Sequence, residues 1–407
     1  MIGVHAAVAP LLADLPEAWE TRRFKAVLDR LSERNEDLTY EMLSLRSTGA
    51  VVPRSLDPRQ EPDVANLPRY LIAHVRDLVV NPMWLIGGGV GVSTLDGAVS
   101  PDYRVFRSRS AIEPRFLHYL LRSQPYLDQY VLYTRAQTTF DRRVQQGDLD
   151  NLPLPIPPIN EQRAIADYLD RETARIDTLI EEQQGLIELL LERRSALVSG
   201  AFIEKAPDSR VQHVCLDVVD CPHTTPEISD DGAYEAVRTA SVRDGKYRPG
   251  NGLRVDRETW LSRNAGGAPS IGDVLFTREA PAGEACMVPS KDICLGQRMV
   301  LLRVDARVCI GEFLLWQIYS DRVQDHFRLA ANGSTVGNVR LPVLRSTPIW
   351  LPTLDEQQRI VDYLDEQSAK IDALIAETEK FIELSRERRS ALITAAVTGQ
   401  IDVREVA

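Results

Sequence analysis

Glu161-Gln162-Arg163-Ala164-Ile165-Ala166-Asp167-Tyr168-Leu169-Asp170 opens a stretch, Glu161 to Ala201, that returns 195 residues later as Glu356 to Ala396. No insertion or deletion separates the copies, and 23 of their 41 positions are identical. The identities include Asp167-Tyr168-Leu169-Asp170 against Asp362-Tyr363-Leu364-Asp365, and Glu192-Arg193-Arg194-Ser195-Ala196-Leu197 against Glu387-Arg388-Arg389-Ser390-Ala391-Leu392. A period this long excludes a solenoid and implies a duplicated domain-plus-helix unit.

Within the stretch, Ile165, Leu169, Ile176, Leu179, Ile180, Leu186, Ile187, Leu190 and Leu197 recur at spacings of three, four and seven. Ile360, Leu364, Ile371, Leu374, Ile375, Phe381, Ile382 and Leu392 repeat the pattern, and no proline interrupts either run. That periodicity predicts two long helices of about 60 Å each. A stripe of that length needs a similar partner, and the same chain supplies one. Ile165, Leu169, Ile176, Leu179 and Leu186 are therefore expected to pair with Ile360, Leu364, Ile371, Leu374 and Phe381. Asn160 and Asp355 are the expected N-caps, and Gly399 the expected stop of the second helix.

Each helix follows a stiff apolar-proline lead, Leu152-Pro153-Leu154-Pro155-Ile156-Pro157-Pro158 and Pro348-Ile349-Trp350-Leu351-Pro352. The blocks ahead of these leads are related more weakly: Tyr40-Glu41 matches Tyr234-Glu235, Asp77-Leu78-Val79 matches Asp273-Val274-Leu275, and Phe116-Leu117 matches Phe313-Leu314. They mix short β-rich runs with one helical segment each, Arg115–Ser123 and Glu312–Ser320. The expected class is α+β: two tandem α/β-mixed domains, each followed by a long helix, the helices pairing as an antiparallel coiled coil. The expected divisions are a tail at 1–12, domains at 13–158 and 204–353, helices at 159–203 and 354–399, and a tail at 400–407.

The composition, 44% hydrophobic and 26% charged over 407 residues, is that of a globular protein. No apolar run approaches the roughly 20 residues of a membrane span, and the N-terminus lacks a secretory pattern. Five unevenly placed cysteines read as free thiols in a reducing cytoplasm. The net charge of −11 is concentrated in the repeat: residues 160–204 carry −5 and 355–398 carry −4. Residues 101–146 carry +4 and 230–345 carry +2, so a polyanion can approach the blocks but not the helices.

Catalytic motifs fail on their context. Asn81-Pro82-Met83-Trp84 resembles the Asn-Pro-Pro-aromatic loop of adenine-N6 methyltransferases, and Gly87-Gly88-Gly89-Val90-Gly91 resembles a nucleotide loop. The second proline is missing, and the glycines lead into a turn-forming run where a cofactor loop opens a helix, so a β-turn is the better reading. Cys215, Cys221 and His223 lack a zinc spacing, and no second ligand pair follows. No metal or cofactor site and no catalytic residue is expected in this chain. What remains is binding equipment in the form of arginines among tyrosines and small polar residues, which suit base edges and phosphates.

Taken together, the Glu-Gln helix starts, the Asp-Tyr-Leu-Asp and Glu-Arg-Arg-Ser-Ala-Leu segments, Leu15-Pro16-Glu17-Ala18-Trp19-Glu20, Gly272-Asp273-Val274-Leu275-Phe276-Thr277-Arg278, Gly296-Gln297-Arg298-Met299 and Gly333-Ser334-Thr335-Val336 closely resemble the specificity subunit of type I restriction–modification systems. The resemblance spans nearly the whole chain. It implies two target-recognition domains that each read one half of a split DNA sequence, with the paired helices as a ruler between them. It implies double-stranded DNA as a partner, with methyltransferase subunits (two of them) and restriction/translocase subunits. S-adenosylmethionine, ATP and magnesium would belong to those partners. The expected DNA contacts are Arg135, Thr138, Thr139, Arg142 and Arg143 in the first domain and Arg238, Arg243, Arg278, Arg298, Ser334 and Thr335 in the second. Two other classes would behave differently. A solitary adenine-N6 methyltransferase would bind S-adenosylmethionine alone, and a coiled-coil adaptor would show no salt-dependent DNA binding.

Overall fold

The computed structural model describes residues 5–54, 64–109, 111–134, 142–331 and 337–403. The chain divides into two units, with the breaks at Gln183/Gln184 and Glu379/Lys380. In the first unit, β1 (Leu28–Leu31), β2 (Leu78–Val80), β3 (Val90–Val92) and β4 (Arg104–Ser108) form an antiparallel sheet in the order β1-β4-β2-β3. The central β2 is a continuous apolar run because both its faces are covered: Leu78, Val79 and Val80 are all buried. Helix α1 (Pro114–Arg122) closes one face through Phe116, Leu117 and Leu120, and the Glu113 side chain caps it by accepting from Arg115 N. After α1 the chain reaches the Pro-rich lead, whose Pro153–Ile156 pairs antiparallel with Glu20–Arg23. A two-stranded ladder of this kind tolerates prolines, which have no N–H to donate. The long helix α2 (Ile159–Phe202) follows.

The second unit repeats the plan. Strands β5 (Cys215–Asp220), β6 (Val274–Thr277), β7 (Ala285–Met287) and β8 (Met299–Val304) take the equivalent order β5-β8-β6-β7. Helix α3 (Gly311–Ile318) stands where α1 does, the lead Pro348–Ile349 pairs with Ser209–Arg210, and α4 (Leu354–Val397) follows. The second unit adds a three-stranded sheet in which Tyr234–Val237 pairs antiparallel with Leu253–Val255 and parallel with Ile293–Leu295.

Each long helix has 44 residues, about 66 Å at 1.5 Å per residue, and begins ahead of the expected caps. Asn160 and Asp355 lie inside the first turn and are not the caps. Glu161 N and Gln162 N bond Pro158 O, and Glu356 N approaches Thr353 Oγ1 at 3.4 Å, so the proline-bearing leads start the helices. α4 stops as expected at Gly399: its φ is +74°, Gly399 N bonds Ala396 O and Gln400 N bonds Ala395 O, the paired bonds of a Schellman end.

The helices run antiparallel. Arg389 Nε meets Asp177 at 2.9 Å and Arg194 Nη1 meets Asp372 at 3.5 Å, so a step along α2 is matched by an equal step back along α4. Ile165, Leu169, Ile176, Ile180 and Leu190 are buried on α2, as are Val361, Leu364, Ile371, Ile382 and Ile393 on α4. Leu179 and Ile360 are half-buried, whereas Leu186, Leu374 and Phe381 are more than 40% exposed and lie off this buried line. Hydroxyl residues take part of the line instead. Thr173, Ser368, Thr378 and Ser385 are buried there, and Thr173 and Thr378 satisfy their hydroxyls on the carbonyls of Leu169 and Leu374. A hydrophobicity stripe cannot show that substitution. The end of α4 joins the core of the first unit, where Ile393, Ala396 and Val397 pack in one cluster with Trp19, Phe116, Ile165 and Leu169.

Candidate nucleic-acid interface

The way each block is fastened to its helix sets where its basic residues stand. Gln162 is fully buried: its Oε1 accepts from Glu113 N at 2.9 Å and its Nε2 donates to Ala111 O and Pro157 O. Gln357 repeats all three bonds, with Ile310 N, Val308 O and Pro352 O. Two helical turns further on, Asp170 accepts from the Tyr119 hydroxyl at 2.7 Å and Asp365 accepts from Trp316 Nε1 at 2.9 Å. The anchors are the same in both copies, while the surfaces beyond them differ.

In the second unit, β6 ends at Thr277 opposite the start of β8 at Met299, so Arg278 and Arg298 leave the sheet side by side, and Arg278 N donates to Arg298 O. Arg298 is held at φ +65°, a left-handed conformation that costs a non-glycine residue about 1 kcal/mol, and its exposed guanidinium lies 3.3 Å from Glu279. Arg278 is 15% exposed at its side chain and makes two bonds to Asp220, at 2.9 and 2.8 Å, while Asp220 also stands 3.4 Å from His223 Nε2. Arg278 is thus a brace as well as a donor, and its Nε is buried without a partner. Two adjoining hollows share Gln297 and Arg298 as a common ridge. One, of about 380 Å³, includes Thr225, Arg238 and Thr239. The other, of about 220 Å³, includes His223, Arg278 and Glu279. Arg263 fixes the loop beside them by donating to Leu295 O, Pro222 O and Thr224 O.

The structure therefore brings Arg238, Arg278 and Arg298 together. Arg243 stands apart on a short hairpin, 4.0 Å from Glu284. His223, Thr225 and Gln297 join the group although the expected contact set omits them. A polar residue flanking an arginine at a strand end was the available signal for Gln297. His223 had none, because its neighbours Cys215 and Cys221 invited a metal reading. Those two cysteines flank an extended strand, about 20 Å apart, too far to share an ion. Burial also pushes the Cys215 thiol up to about 12.

In the first unit, Val144 N bonds Pro82 O and Arg104 Nη2 bonds Val144 O, which sets Arg142 and Arg143 beside the Asn81–Trp84 turn. Asn81 makes that turn itself, its side chain accepting from Met83 N and its carbonyl from Trp84 N. Arg142 is half-buried and Arg143 reaches Asp102 at 3.4 Å. Burial lowers the pKa of Arg104, and the like charges of Arg30 and Arg143 lower it further; its Nη1 is buried without a partner. The guanidiniums of Arg30, Arg104 and Arg143 thus stand close enough to repel one another, with Asp102 beside Arg143 and Asp150 near Arg104 as the facing carboxylates. Arg135, Thr138, Thr139, Ser334 and Thr335 lie outside the described residues.

The family model for the type I restriction modification DNA specificity domain matches residues 90–189 and 222–384, once over each unit and well over half of the chain. The chain belongs to that family. The chain is 21% identical to a putative type I restriction enzyme MjaX specificity subunit of Methanocaldococcus jannaschii, over 97% of this chain and 96% of the relative. It is 23% identical to the MjaVIII specificity subunit of the same organism, over 72% and 71%. Among solved structures, a chain from a type I restriction–modification assembly superposes with a TM-score of 0.70 at 21% identity, covering 95% of this chain and all of that one. The HsdS subunit of Thermoanaerobacter tengcongensis gives 0.56 at 20%, covering 97% and 100%. These structures share the fold: tandem mixed units, each ending in a long helix. Among the described residues no helix is long and apolar enough to cross a membrane.

Proposed function

We propose that this specificity-family chain reads a split double-stranded DNA target, with residues 13–158 as one recognition domain and 204–353 as the other. The observation that carries this reading is the contrast between the two copies. Gln162 and Gln357 make the same three bonds, and Val144 N–Pro82 O has its counterpart in Val339 N–Arg278 O, yet the arginines at this common corner differ residue by residue: Arg104, Arg142 and Arg143 in one copy, Arg238, Arg278 and Arg298 in the other. Equal mounts with unlike reading surfaces suit an asymmetric, two-part sequence. The chain itself is non-catalytic in this account. Partner methyltransferase subunits modify adenine with their own S-adenosylmethionine, and a translocase partner supplies ATP- and magnesium-dependent restriction. The acidic helices suit those protein partners, and their length sets the gap between half-sites.

In the second domain the Gln297–Arg298 ridge reads base edges, with Arg238 and Arg278 beside it. Arg298→Ala is expected to relax one half-site, costing about 1–3 kcal/mol of discrimination there and nothing at the other. Binding selection from a randomised duplex library, with the chain in its methyltransferase complex, measures this. Uniform weakening on every sequence, with a salt slope reduced by about one, would make Arg298 a phosphate contact instead.

A further inference from the structure

Inside the second unit, an open cleft of about 610 Å³ lies between α3, a short hairpin and the two long helices. Its walls carry two cations and four carboxylates, and both cations, Arg194 and Lys246, are already bonded to Asp372. Among the described residues neither Glu312 nor Asp365 has an ion pair, and Asp365 takes only the Trp316 indole N–H. Ser368 lines the cleft at 5% exposure, and its hydroxyl has no hydrogen-bond partner. Leu315 and Trp316 supply apolar wall beside these polar groups.

The first unit shows what this arrangement holds when complete. At the position of Glu312 it has Arg115, whose guanidinium reaches Asp170 at 2.6 Å, Asp167 at 2.8 Å and Glu113 at 3.3 Å. At the position of Ser368 it has Thr173, whose hydroxyl donates to Leu169 O and faces the Tyr119 hydroxyl at 3.3 Å. The second unit keeps both aspartates, as Asp362 and Asp365, but replaces the arginine by a glutamate and the tyrosine by a tryptophan. Glu113 gives way to Ile310, but both aspartates remain and their cation is gone. A buried hydroxyl, that of Ser368, is left without a partner at the same place, which is unfavourable until a donor or acceptor fills the cleft.

We propose that this cleft takes an arginine side chain presented by another polypeptide, whose guanidinium sits on Glu312 and Asp365 and whose methylene arm lies along Leu315 and Trp316. Arginine fits better than lysine because its planar fork serves two carboxylates and a hydroxyl at once. The site is confined to one copy of the repeat, so it gives a nearly symmetric pair of helices a single, oriented docking point.

The test uses the full chain labelled with 5-fluorotryptophan, the Trp316 resonance being assigned by Trp316→Phe. Acetyl-arginine-amide is expected to shift that resonance saturably, and the neutral isostere acetyl-citrulline-amide to bind about tenfold more weakly or worse. Glu312→Arg, which fills the cleft from within, is expected to abolish the response, with a thermal unfolding midpoint no lower than the parent's confirming the fold. Ser368→Ala, a small change in a helix, is expected to weaken it several-fold. Equal response to citrulline, a full response in Glu312→Arg, or no response at millimolar probe would overturn the proposal. Stronger binding of agmatine, which carries an ammonium in place of a peptide backbone, would overturn it in favour of a free amine.

Discussion

Gln162 and Gln357 show how much a single buried amide can decide. Each ties one backbone donor and two backbone acceptors of its block to the first turn of its helix. Gln357→Leu keeps the volume but leaves those groups unpaired, an expected loss of about 2–4 kcal/mol. Hydrogen exchange should show Ile310 and its neighbours opening faster in the second unit, with Glu113 in the first unchanged; equal acceleration in both would contradict the anchoring role. His118 gives a pH signature. Burial, with Arg122 and then Arg389 nearby, pushes its imidazole down to about 3, against 6.5 ordinarily. The folded state therefore keeps it neutral while the unfolded chain takes up a proton below about 6.5. Its contribution is constant above that value and is lost as pH falls towards 3. Its Nδ1 is buried without a partner, but the ring is only half-buried, so the slope should stay below the limiting 1.4 kcal/mol per pH unit. His118→Leu, which installs the residue that Leu315 is in the second unit, should flatten that part of a denaturation-versus-pH series. A slope identical to the parent would refute the assignment. None of this was legible beforehand: a buried Gln and a buried His look like surface residues until their neighbours are known.

At the scale of elements, the long helices were the most legible feature, because Ile165, Leu169, Ile176, Ile360, Leu364 and Ile371 repeat with helical period and no proline breaks them. The strands around Val79, Leu275 and Leu301 were readable as buried β-rich runs. The caps were misplaced at Asn160 and Asp355 because the leads cap the helices from outside, and the seam was misjudged at Leu186, Leu374 and Phe381. Periodicity identifies an apolar side but not which residues on it meet the partner helix, and it scores Thr378 and Ser385 as polar although they are buried. The Gln297–Arg298 ridge was half legible. Its arginines stood out, but the register that sets Arg278 beside Arg298, and the Asp220 that engages Arg278, come from strand pairing between segments distant in sequence.

At the scale of the whole molecule, charge and repetition carry the account. The helices hold −9 of the −11 net charge, while residues 101–146 and 230–345 of the diverged blocks carry +4 and +2, so the duplicated part suits protein and the unlike parts suit DNA. If the helices set the gap between two half-sites, shortening both by the same amount must shorten the gap. Residues Glu182–Glu188 and Glu377–Glu383 are equivalent heptads near the midpoint of the pairing, and removing both takes about 10 Å from each helix, close to three base pairs of duplex. The decisive measurement is a genome-wide map of methylated adenines in cells that carry the partner subunits with either the parent chain or this double deletion. The account predicts the same two half-sites separated by a gap about three base pairs shorter. An unchanged gap, or altered half-sites at the original spacing, would contradict it.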